Sequence, residues 1–149
     1  MDENKFLREI ENRTNLPRDK AFNIAIAVLQ ELHDRLSPKE ADDLAAQLPG
    51  DLKARWHAFD IPDREVSRTH RKDFVRHIAE VAEIDELEAG RALLATFKAL
   101  QMMLASPTGS EGEAWDVFSQ LPKDLKRLWI QAAGPIPKKP ARTTRAPAR

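Results

Sequence analysis

A chain of 149 residues, 42% hydrophobic and 32% charged, is long enough to bury a core without help from a metal or a disulfide. It contains no cysteine, which excludes disulfides and thiol chemistry, and no apolar run of membrane-spanning length. The formal net charge is zero but unevenly spread: residues 134–149 carry Lys138, Lys139, Arg142, Arg145 and Arg149 with no acid, leaving 19 basic against 24 acidic side chains in the body, a balance of −5.

The first predicted helix holds Phe6, Leu7 and Ile10 at helical spacing, and Asp2, Glu3 and Glu9 around it lack the basic and apolar regions of a secretory signal. A cytoplasmic protein is expected. Pro17 opens the second and longest helix of this half, about twenty residues whose buried face is Ala21, Ile24, Ala25, Val28, Leu29, Leu32 and Leu36. Ser37-Pro38-Lys39-Glu40 forms the capping box of a third helix with Ala41, Leu44, Ala45 and Leu48 on its inner face. That helix must end before Pro49, because the residue preceding a proline is driven out of the α region. Pro49 starts a short fourth helix with Asp51 in its first turn, and there Leu52 and Trp56 stack four residues apart.

The pattern then starts again. Phe74, Val75, Ile78 and Val81 answer the first helix, and Asp85 with Glu88 caps a second that carries Ala89, Leu93, Thr96, Phe97, Leu100 and Leu104. Met102 and Met103 fill gaps near its end. Ser110 with Glu113 repeats the capping box, Ala114, Val117, Phe118 and Leu121 the third helix, and Pro122 to Trp129 the fourth. The offset is 68 residues from Phe6/Phe74 to Leu36/Leu104 and 73 from Ser37/Ser110 onward, so the second copy holds a loop insertion at 105–109. The expected fold is all-α, a bundle of about eight helices. It is built from two tandem four-helix repeats, about 3–60 and 68–133, in a single domain spanning 1–133. Residues 134–149, with Pro135, Pro137, Pro140 and Pro147 and almost no apolar surface, are expected to form a disordered basic tail.

The Phe-containing first helix, the Ala- and Leu-rich second and the acidic, Ala-rich third running into Gln47-Leu48-Pro49 together resemble the bacterial family known as domain of unknown function 2267. The likeness covers about residues 3–130 and is most specific from Glu40 to Pro49, while Trp115, Phe118 and the inserted loop depart from it. The resemblance implies a small all-α fold and supplies no catalytic residues.

Candidates for chemistry are few. His70, Asp73 and His77, with Glu80 and Glu83 beyond, have the spacing of one helical face and would suit a divalent metal; the favoured reading is a solvated face. Glu80, Glu83, Asp85, Glu86 and Glu88 decorate one helix end and the next helix start. His33 and His57 have no partner visible in the sequence. Trp56 and Trp129, at equivalent places, either anchor the core or line a partner-binding groove between the halves. With no nucleophile elbow and no phosphate-binding glycine loop, the expectation is a non-enzymatic module without cofactor or metal, binding a protein partner or itself. The alternative is an accessory nucleic-acid binder acting through Lys138, Lys139, Arg142, Arg145 and Arg149.

Overall fold

In a computed structural model, which describes residues 2–67, 70–104 and 113–133, the protein is all-α, with eight helices and no strand among those residues. They are α1 (Glu3–Thr14), α2 (Arg18–Arg35), α3 (Pro38–Ala45), α4 (Gly50–Ala58), α5 (Arg71–Ala82), α6 (Glu86–Leu104), α7 (Glu113–Ser119) and α8 (Lys123–Ala133). None is long and apolar enough to cross a membrane. The inserted loop and the basic tail lie outside the described residues, as does the cap expected at Ser110.

Helix boundaries follow the local chemistry. The Asp2 carboxylate accepts from the Lys5 amide at 2.8 Å, the Ser37 hydroxyl from the Glu40 amide at 3.2 Å, and the Asp85 carboxylate from the Glu88 amide at 2.8 Å. The Ser37 amide, which a full capping box would offer to Glu40, instead donates to Gln120 Oε1 at 2.8 Å, tying the start of α3 to the corner between α7 and α8. Pro17 and Pro49 sit one residue earlier than expected, as extended N-caps of α2 and α4. Helices α1 and α5 end on left-handed residues, Asn15 (φ 59°) and Glu83 (φ 57°), whose amides return to the Glu11 and Ala79 carbonyls.

Buried apolar side chains from all eight helices join in one cluster running from Phe6 to Trp129. Helix α1 packs mainly on α6, and α5 on both α2 and α6, so each short first helix seats against the long helix of the other half. Helices α2 and α6 touch each other, as do α3 and α7, while α4 packs on α2 and α8 on α6. Val81 departs from the expected stripe: it is 40% exposed, and Ala82 continues the inner face of α5 in its place. Between α4 and α5 the chain is pinned to the end of α2, where the Arg64 guanidinium donates to the Asp34 and Leu36 carbonyls at 3.3 and 3.0 Å. That side chain satisfies carbonyls which a helix C-terminus leaves open.

Candidate functional site

Both tryptophans belong to the interior. Trp56 is fully buried and its indole N–H donates to the Ala41 carbonyl at 3.0 Å; Trp129 is 1% exposed, with its ring 5.0 Å from that of Phe97. Neither offers a surface to a partner, which corrects the groove reading of these two residues. Leucines four residues upstream turn each indole to the same inner face, and at that depth a tryptophan acts as a packing anchor.

His70, Asp73 and His77 do not converge. His70 is the residue before α5 and faces Asp124 at 3.5 Å, while Asp73 pairs with Arg76 at 3.4 Å. His77 turns inward, with Nδ1 2.7 Å from Glu31 Oε2 on α2. The other Glu31 oxygen accepts from Arg35 at 2.7 Å, and that buried guanidinium lies over the Phe74 ring at 4.9 Å. Sequence spacing put these residues on one face, but α8 claims His70, α2 claims His77, and Asp73 stays with Arg76 on α5 itself. Within the acidic stretch, Glu83 and Asp85 serve as helix caps. Lys138, Lys139, Arg142, Arg145 and Arg149 lie outside the described residues.

A groove of about 730 Å³, open to solvent, runs between α5, α6 and α8. Its apolar lining is Val75, Leu94 and Leu128, with Leu87 standing 68% exposed at the edge. Arg71, Lys72 and Arg91 bring positive charge to it, and the acids present are Glu86 and Asp124. Asp124 is already engaged: its carboxylate accepts from the Arg71 amide at 2.8 Å and from the Leu125 amide at 2.9 Å. Burial raises the Asp124 pKa, but these amides and His70 outweigh it and hold the carboxyl below its usual range. Asp124 thereby caps α5, whose own preceding residue, His70, makes no side-chain cap, and fixes α8 against the start of that helix.

Gly90 lies on the same groove, in the second turn of α6. A Cβ added there would meet nothing within 4 Å, so no contact inside the described fold requires glycine. In a helix interior, glycine costs about 1 kcal/mol relative to alanine. No motif marked the groove: of its lining, His70 and Glu86 stood out in the sequence, but as part of a metal-type spacing and of an acidic helix start. The available signals were Leu87, an apolar residue ahead of the α6 stripe that begins at Ala89, and a glycine inside an otherwise strong helical sequence.

A family model described as an uncharacterized conserved protein, DUF2267, matches residues 3–128. No curated protein matches the chain.

Proposed function

The chain belongs to the DUF2267 family, and we propose that it works as a non-enzymatic interaction module whose α5–α6–α8 groove takes an acidic, apolar segment of a partner protein. The observation that carries this reading is the groove itself, an apolar floor beside Arg71, Lys72 and Arg91 on a body whose overall balance is acidic. Helix-in-groove recognition uses this combination, with apolar anchors on one face and complementary charges along the rim setting register. Gly90 supports it: the absent side chain leaves room for close approach by another backbone, at a cost in helix stability that no contact among the described residues recovers.

Selection of displayed random peptides on the full chain tests the proposal, with Gly90→Phe and Arg91→Glu as counter-targets. The first substitution fills the groove from an open position and the second reverses a rim charge. Enriched peptides should carry Leu-type anchors flanked by Asp or Glu and bind each folded variant at least about tenfold more weakly, the equivalent of about 1.4 kcal/mol. No enrichment, or binders indifferent to both substitutions, would overturn it. Titration with labelled duplex DNA at low salt gives the nucleic-acid reading its own outcome: binding by the full chain that disappears from a chain ending at Gly134 would favour the basic tail instead.

A further inference from the structure

On the opposite half of the sequence, three side chains converge that its spacing did not join. Asp42 comes from α3, His57 from the last turn of α4, and Asp60 from just beyond that helix. One potential ligand atom from each lies within 4.8 Å of the others, and all three residues are exposed. His57 Nδ1 and Asp60 Oδ2 are 3.3 Å apart. Two ligands bound to one tetrahedral centre at about 2.0–2.1 Å stand roughly 3.3–3.4 Å from each other, so this edge already has the required length.

Asp60 is also held from behind. Its Oδ1 lies 2.5 Å from Nε2 of His33, which is fully buried in α2. The His33 ring is fixed by edge contacts with Trp56 at 4.9 Å and Phe59 at 5.6 Å, and its Nδ1 lies 3.1 Å from Asp34. A carboxylate with one oxygen anchored by a packed imidazole and the other turned to an exposed imidazole has the arrangement in which an outer group orients a metal ligand.

We propose that Asp42, His57 and Asp60 bind a divalent transition-metal ion, with His33 as the positioning residue for Asp60. An imidazole nitrogen with two carboxylate oxygens suits zinc and its first-row neighbours better than magnesium or calcium, which take oxygen ligands almost alone. Exposure of the cluster leaves the remaining coordination positions to water. The site is independent of the α5–α6–α8 groove and shares no residue with it.

Calorimetric titration of the full chain with zinc chloride, repeated for Asp42→Asn and His57→Gln, tests the assignment. Both residues are exposed, so the variants should fold. The native chain should bind one ion saturably, each variant at least about tenfold more weakly, and zinc should shift the His57 ring resonances while leaving those of His70 in place. Absence of saturable binding up to about millimolar zinc, or equal affinity in both variants, would overturn the proposal.

Discussion

At the scale of single residues, Trp56 and Asp60 both meet His33 and carry opposite kinds of information. Trp56 is fully buried, meets the His33 ring edge-on and donates its indole N–H to the Ala41 carbonyl. Trp56→Ala should therefore cost about 3–5 kcal/mol, read as a lowered midpoint in chemical denaturation. A partner-binding tryptophan would leave that midpoint in place. Asp60 reports through pH. Partial desolvation raises the pKa of this exposed carboxyl, but hydrogen bonds and charge from His33 and His57 carry the net shift downward. A carboxyl more acidic in the folded state contributes stability above its unfolded pKa of about 4 and loses that contribution as the pH falls through the folded value. Asp60→Asn should thus be less stable than the native chain at pH 7, with the gap closing below about pH 4 in denaturation series taken at several pH values. The identity of Trp56 and its distance from Leu52 were visible in the sequence. The pairing of His33 with Asp60 was not, because it joins α2 to the end of α4 across 27 residues, and only packing sets such a distance.

At the scale of elements, the signals confined to one helix turn were the legible ones. Ser37 and Asp85 cap as their short-range pattern indicates, whereas the partner of the Ser37 amide, Gln120, comes from a corner 83 residues away. The left-handed ends of α1 and α5 carried no glycine to announce them. Glu83 holds φ 57° at the steric cost of a side chain in that region, and the Glu83→Gly variant should gain about 0.5–1 kcal/mol in thermal or chemical unfolding. Gly90 is the reverse case. The open space around its Cα means that Gly90→Ala should stabilise α6 by about 0.5–1 kcal/mol, seen as a raised unfolding midpoint. A loss of stability in that variant would show that the backbone there is packed more tightly than its surroundings indicate.

At the scale of the whole molecule, the helices are exchanged between halves as much as they are stacked within them. Helix α1 lies on α6 and α5 lies on α2, while α2 meets α6 and α3 meets α7. Each of these pairings maps onto another, or onto itself, when the first four helices are swapped with the last four. We infer an approximate two-fold relation between tandem repeats from that pattern. One consequence concerns folding: a fragment comprising residues 1–67 exposes the faces of α1 and α2 that α6 and α5 cover in the full chain. It should show little of its native helicity by circular dichroism, whereas the full chain should unfold in one cooperative transition by both circular dichroism and tryptophan fluorescence. A fragment with native helicity and its own sharp transition would mean that the halves are separate units. The sequence by itself determined the all-α class, the eight helices, most of their inner faces and the burial of both tryptophans' apolar neighbours, because periodicity, caps and proline corners act within a few residues along the chain. Only the tertiary structure decided which helices meet, why His70, Asp73 and His77 part company, where the Arg35–Glu31–His77 network closes and how the α5–α6–α8 groove and the Asp42–His57–Asp60 cluster arise. Those features depend on distances between segments remote in the chain, which are fixed when the apolar faces pack together and by nothing in the local pattern.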